Sequence, residues 1–325
     1  MSETEAMRKE FFGTADGKDV YKYILSGDGV TVSVIDFGAA VQSIFVDGVE
    51  IVQSFGSAED YKTRPGYVCA AIGRVANRIA NAEFALNGET FRLTKNEGNN
   101  QLHGGKEGFD HKFFTAEEIR DGVKMTYRSP DGEEGYPGNL LFTVKFTLTS
   151  RTLTIGYTAT TDKDTLFAPT HHFCFNLNGQ VGGANSNLLA IYADGYMPVD
   201  KELIPLGNVL PVEGTPFDFR TAKPVDRDLR NVGIYDHNFM LCGEHAATIC
   251  GSETGIKADI YTDMPGMQLY SGAGGEDKRN EPDPSARGGV ALEPQFAPNA
   301  INMPGFLKPI LKAGEEKSHY IRLEF

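Results

Sequence analysis

Positive charge is in short supply: 31 Lys and Arg stand against 44 Asp and Glu, and 31 − 44 = −13. A surplus of that sign repels phosphate backbones and anionic lipid surfaces, so neither nucleic acid nor a membrane is an expected partner. Cysteine is scarce as well. Cys69, Cys174, Cys242 and Cys250 form no C-x-x-C pair and no zinc-type spacing with histidine. Neither a disulfide framework nor a metal site is therefore indicated, and reduced thiols fit a cytoplasmic protein. P-loop, G-x-G-x-x-G and H-E-x-x-H patterns are missing, so no cofactor is expected. No apolar run reaches the roughly 18 residues of a membrane helix, since stretches such as Val32 to Val46 are broken by Asp36 and Gln42. Met1 to Met7 carries acid where a secretory signal would carry a basic region, so no export is expected.

Long helical periodicity is also lacking; Ser57-x-x-Asp60 opens one short helix as a capping box. What is present reads as strands and tight turns. Val41 to Val46 and Val49 to Val52 flank Asp47-Gly48, and Glu83 to Leu86 and Glu89 to Leu93 flank Asn87-Gly88. Both dipeptides accept the positive φ of two-residue hairpins. Alternating strands follow at Leu141 to Leu148 and Thr152 to Thr161, with further strands at Leu188 to Ile191, Met197 to Asp200, Gly266 to Tyr270 and His319 to Phe325. Ser271 to Gly289 reads as an exposed loop. No repeat or linker divides the 325 residues. The expected architecture is all-β, one domain over 1–325.

The chemistry centres on Pro169 to Leu177, which sets two histidines on a strand. Counting by twos places His171, Phe173, Phe175 and Leu177 on one face and His172, Cys174 and Asn176 on the other. Burying the apolar set turns His172 toward a cleft as the exposed acid/base candidate; two histidines satisfied by neighbours is the plainer alternative. Gly73 to Asn81 gathers Arg74, Asn77, Arg78 and Asn81 as a donor-rich patch for an uncharged polar ligand, or as surface arginines pairing with an acidic chain. His103 precedes Gly104-Gly105, where backbone can approach a ligand closely. In Asp236-His237-Asn238-Phe239, Asp236 and Asn238 share a face and His237 is structural. Glu293 lies inside the apolar run Val290 to Phe296, just before Pro294. It is either a functional acid or a charge guarding a sheet edge.

These segments together resemble the aldose 1-epimerase, or galactose mutarotase, family, from Phe37-Gly38-Ala39 to Gly314-Glu315-Glu316. Gly73 to Ala80, Leu102 to Gly105, Gly132 to Asn139, Gly214 to Arg220, Asp236 to Phe239 and Leu292-Glu293 occur in the family's order. The resemblance implies a large β-sandwich with a sugar in a shallow cleft on a curved sheet. It implies His172 as general acid and Glu293 as general base, with His103 near the ring oxygen and anomeric centre. Asn77, Arg78, Asp236 and Gln268 are implied as sugar contacts, and the substrate as a free aldohexose such as galactose or glucose. Three positions depart from the family: His171 stands where Asn is usual, Cys174 where an aromatic is usual, and the tryptophan often found after the His-Gly-Gly turn is missing. Rival readings are a noncatalytic carbohydrate-binding protein on the same fold, a hexose 6-phosphate 1-epimerase, and a regulatory or scaffold protein. A monomer or weak homodimer is expected.

Overall fold

Strict alternation builds the largest sheet. In Leu140–Thr149 and Thr152–Thr161 every second side chain is buried, which sends Phe142, Val144, Phe146, Leu153, Ile155 and Tyr157 inward. The pair is joined from Leu140↔Thr161 to Thr149↔Thr152. The computed structural model describes residues 7–64, 66–179, 182–272 and 288–325. Within them this hairpin sits in a nine-stranded antiparallel sheet. Its order is Thr115–Ile119, Gly122–Ser129, Leu140–Thr149, Thr152–Thr161, Glu316–Glu324, Lys257–Thr262, His245–Cys250, Leu188–Ile191, Lys223–Pro224. Most of the loop expected at Ser271 to Gly289, and the acidic start of the chain, lie outside the described residues.

A six-stranded antiparallel sheet runs Phe173–Phe175, Val290–Gln295, Gly266–Tyr270, Asp236–Leu241, Ala193–Tyr196, Leu210–Pro211. One of its faces supplies Phe173, Phe175, Leu292, Leu269 and Phe239 to the same apolar cluster as Phe142, Phe146 and Ile155. Each such buried side chain contributes roughly 1.5–3 kcal/mol, so this shared core fixes the sheets against one another. A five-stranded meander, Arg8–Ala15 to Val49–Glu50, adds the N-terminal layer. Both expected hairpins form, with Asp47 and Gly48 at φ 49° and 84° and Asn87 and Gly88 at 53° and 80°. Ser57 caps the helix Ala58–Thr63 by accepting the Asp60 N–H. Strand dominates and the α-helices of the described residues are short, as the all-β expectation requires.

Two expectations are corrected. Pro169 to Leu177 is not one strand: Thr170–His171 pairs with Ala71–Ile72, Phe173–Phe175 pairs with Val290–Gln295, and His172 sits at the break. The face assignment survives, because the His171 ring packs on Phe146, Tyr157 and Phe173. The sheet also stops at Tyr196 rather than continuing through Pro198, which has no N–H to give a ladder; beyond it only the isolated bridge Val199↔Pro205 forms. Pro294, whose missing N–H suits a strand end or an edge, lies inside Val290–Gln295 but at an edge of the pairing. Pairing on one side ends at Phe173↔Leu292, so Pro294 has a strand partner only across from Met267.

Arg74 overturns the surface-arginine reading. It is 2% exposed and donates to the Ser129 hydroxyl (2.9 Å) and to the carbonyls of Ser129 (3.1 Å), Pro130 (3.0 Å), Pro137 (2.8 Å) and Gly138 (2.8 Å). This one side chain therefore ties the Gly132 to Asn139 turns to the segment carrying Asn77 and Arg78. Arg74→Met leaves those buried acceptors unpaired, and we expect a loss of about 3–5 kcal/mol in chemical denaturation, the range for breaking a buried charged network. A loss below about 1 kcal/mol contradicts the assignment.

Candidate active site

Register brings the two best acid/base candidates together. Because Cys174 pairs with Ala291 and Phe173 with Leu292, one step further sets His172 opposite Glu293. Their Nε2 and Oε1 atoms are 3.6 Å apart. The row continues through Gln268, paired with Glu293, to Asn238, paired with Gln268. In the next row Cys174, Ala291, Tyr270 and Asp236 stand side by side. Alternation puts all of these on the face turned away from Phe173 and Leu292.

Loops supply the walls. Arg78–Ile79 pairs with Gln101–Leu102, and the chain then turns at His103, φ 51°. Only glycine fits next, because a Cβ on Gly104 would lie 1.9 Å from the Gly73 carbonyl oxygen. His103 N–H donates to the Asn77 carbonyl, and Asn77 N–H donates to His103 Nδ1, each at 3.1 Å. Arg78 grips Glu97 with Nε and Nη2 at 2.6 and 2.9 Å and reaches Asp236 at 3.5 Å. Asp236 also accepts from Gln268 Nε2 at 2.5 Å. The Tyr67 ring packs 4.7 Å from His103 and 5.9 Å from His172. The open cavity between these walls measures about 590 Å³.

His172, Glu293, His103, Asn77, Arg78 and Asp236 line that single cavity. Gln268 does not; it lies behind Asp236 and holds it. His172, expected to be exposed, is 5% exposed, and Glu293 is 2% exposed rather than guarding an edge. His171 and His237 are structural. Tyr157 O–H donates to His171 Nδ1 (2.7 Å) and His171 Nε2–H to the Ala39 carbonyl (3.0 Å), while His237 packs on Phe217. Sequence reasoning missed Tyr67 and Glu97, which stand in loops without periodicity. The one available signal for Glu97 was the unpaired charge of Arg78, a poor guide in a chain rich in acids.

Burial sets the electrostatics. It pushes the Glu293 carboxyl well above its ordinary value, with Asp236 adding to the rise and Arg78 opposing it. Burial lowers His172 to about 4. It holds His103 well below the ordinary imidazole value, with His172 and Arg78 adding to the fall. Burial thus drives the two groups in opposite directions, the carboxyl toward its protonated form and the imidazole toward its neutral one. Ligand atoms of His103, His172 and Glu293 lie within 4.8 Å of one another, a grouping invisible to residue spacing. The Asn77 N–H nevertheless occupies the Nδ1 lone pair of His103, which leaves the ring hydrogen on Nε2. His103 meets the cavity as a donor; to ligate a metal through Nε2 it would have to lose that backbone bond.

A profile of the family described as aldose 1-epimerase matches residues 21–324. The chain is 36% identical over 324 residues to human galactose mutarotase, covering 95% of each. It is 37% identical over 319 residues to the aldose 1-epimerase of Escherichia coli K12, covering 91% of this chain and 92% of the relative. The crystal structure of galactose 1-epimerase from Lactobacillus acidophilus superposes with TM-score 0.87 at 28% identity, covering 98% of both chains. An aldose epimerase homologue from C. elegans gives 0.85 at 25% identity, covering 93% and 97%.

The lowered histidines make a direct test. In a proton NMR titration of the imidazole resonances, we expect His103 and His172 to remain neutral from pH 8 to pH 5, since a depressed value is crossed only on further acidification. A midpoint near the unperturbed imidazole value of about 6.5 for either residue contradicts the burial argument.

Proposed function

The chain belongs to the aldose 1-epimerase family and is an isomerase acting at C1 of an aldose, and we propose that it interconverts the α and β anomers of a free aldohexose such as galactose or glucose through the Glu293–His172 pair. The observation that carries this assignment of roles is the 3.6 Å approach of His172 Nε2 to Glu293 Oε1 at the floor of the cavity, with burial driving the two groups in opposite directions.

Opening a cyclic hemiacetal removes a proton from the C1 hydroxyl and delivers one to the ring oxygen. The proton that burial favours on Glu293 first passes across the 3.6 Å gap to His172 Nε2; Glu293, then a carboxylate, takes the proton of the C1 hydroxyl, and His172, then an imidazolium, gives the ring oxygen its proton from Nε2. The C1–O5 bond breaks and C1 becomes an aldehyde carbonyl. The pair is then a carboxylic acid beside a neutral imidazole, the state that burial favours. Rotation about C1–C2 presents the other carbonyl face. Reclosure runs the transfers backward, with His172 recovering its proton from the O5 hydroxyl and Glu293 returning its proton to the carbonyl oxygen. No proton is gained or lost over the cycle. His103, with its Nε2–H fixed, donates a hydrogen bond to oxygen charge near the anomeric centre without itself carrying a proton. Asn77, Arg78 and Asp236 bind the remaining hydroxyls, and Gln268 acts through Asp236.

The charge balance favours an unphosphorylated sugar. Among the described residues lining the cavity Arg78 is the one cation, while Glu97, Asp236 and Glu293 are acids. Arg78 is already held by Glu97, and Arg74 is elsewhere. We therefore expect higher efficiency for free hexoses than for a hexose 6-phosphate at equal salt; the reverse order in polarimetry contradicts this. We place the protein in the cytoplasm as one domain over 1–325, a monomer or weak homodimer, needing no metal. Its cysteines are unpaired, and no helix among the described residues is long and apolar enough to cross a membrane. Dialysis against a chelator is expected to leave activity intact; full loss restored by one metal contradicts it.

The roles themselves are tested by anomer exchange followed at equilibrium by NMR. Positioned acid/base groups contribute ~10²–10⁴-fold, so Glu293→Gln is expected to lose at least ~100-fold while retaining sugar affinity. His172→Asn should lose a comparable factor. His171→Asn should cost far less, since its ring contacts the core. The rate should fall below pH about 4, where His172 gains a second proton for the pair, and again above the raised value of Glu293, where the pair loses its only one. Near-normal exchange in Glu293→Gln, or a larger loss at His171 than at His172, overturns the assignment.

A further inference from the structure

His172 has to alternate at Nε2 between holding a proton and presenting a lone pair. A neutral imidazole does so only if its hydrogen stays on Nδ1, and that requires an acceptor beside Nδ1. The position is occupied by sulfur: Cys174 Sγ lies 3.6 Å from His172 Nδ1. We infer that Cys174 is a positioning residue whose sulfur accepts the Nδ1–H of His172 and so keeps Nε2 free to take and return the proton at the sugar.

The hydrogen-bond inventory decides the direction. A thiol can donate or accept weakly, and were Cys174 S–H to donate into Nδ1, the ring hydrogen would be fixed on Nε2, as in His103. The Cys174 thiol has another acceptor, the His172 carbonyl oxygen at 3.5 Å. The neighbouring sulfur is also spoken for: Cys69 donates to the Gln53 carbonyl (3.6 Å) and accepts the Cys174 N–H (3.4 Å). A hydrogen bond with Cys69, together with burial, holds the Cys174 thiol well above its ordinary value, so it remains protonated. With its hydrogen directed elsewhere, the Cys174 sulfur offers Nδ1 only lone pairs. The other titratable groups facing the His172 ring are Glu293 on its Nε2 side, His103 at 5.4 Å between ring centroids and Tyr67 at 5.9 Å. The cavity therefore holds two histidines in opposite tautomers: His103, locked by the Asn77 N–H as a donor, and His172, kept by Cys174 as a carrier.

The inference rests on the acid role given to His172, and the test separates the two. In the full chain labelled with ¹⁵N-histidine, with His172 assigned by loss of its signals in His172→Asn, the imidazole nitrogen shifts report the tautomer without any turnover. The expected result is Nδ1–H at His172 and Nε2–H at His103. Cys174→Ala should raise the Nε2–H population at His172 and lower kcat about tenfold, the effect of one hydrogen bond, with KM within about twofold. Cys174→Ser, which restores an acceptor, should recover most of both. An Nε2–H tautomer at His172 in the unmodified chain overturns the inference even if the variants do not fold. So does a Cys174→Ala variant with unchanged tautomer and kcat within twofold. Failure of the acid role appears separately, as near-normal exchange in His172→Asn.

Discussion

The constraint on which the site depends is the antiparallel register between Phe173–Phe175 and Val290–Gln295. It sets His172 against Glu293, and because alternation along both segments is strict, one choice of register fixes which side chains meet the core and which meet the cavity. A slip of one residue in either segment would turn its apolar side chains into the cavity and its His172 or Glu293 into the apolar core, exchanging favourable burial for a buried polar group. The register is thus enforced by the core, by Phe173, Phe175, Leu292 and Leu269, and the contact between His172 and Glu293 follows from packing that has no chemical role.

Burial does the remaining work. A carboxyl and an imidazole on an exposed sheet would be carboxylate and largely neutral imidazole at neutral pH, with no proton to share. Sinking both groups raises one and lowers the other, which favours a carboxylic acid beside a neutral imidazole. In the reaction proposed above, that neutral arrangement is also the one reached when the sugar ring has opened. Arg78 limits the effect: held by Glu97 and near Asp236, it keeps the cavity from becoming an uncompensated cluster of acids.

Local and periodic features were legible in the sequence. Asp47-Gly48 and Asn87-Gly88 specify hairpins through their own backbone preferences, and counting by twos separated His172 from His171 because alternation is a property of any extended backbone. The family resemblance supplied His103, Asn77, Arg78 and Asp236, which the fold gathers around one cavity. What escaped is what depends on distant partners. The break at His172 arises because Ala71–Ile72 claims one side of it and Val290–Gln295 the other. Arg74 reads like Arg78 in sequence yet is consumed by carbonyls of the 129–138 turns. Tyr67 and Glu97 reach the site from irregular loops, and nothing in the spacing of Cys69 and Cys174 reveals that their sulfurs close a network around His172.

The central claim, that burial leaves the single proton of the pair on Glu293 in the free protein, is open to infrared spectroscopy. The difference spectrum between the unmodified chain and Glu293→Gln, at neutral pH and without sugar, isolates this one carboxyl from the other buried acids. The account predicts a protonated carboxylic acid stretch that disappears in the variant. A lost carboxylate stretch instead, with no protonated band, would contradict it.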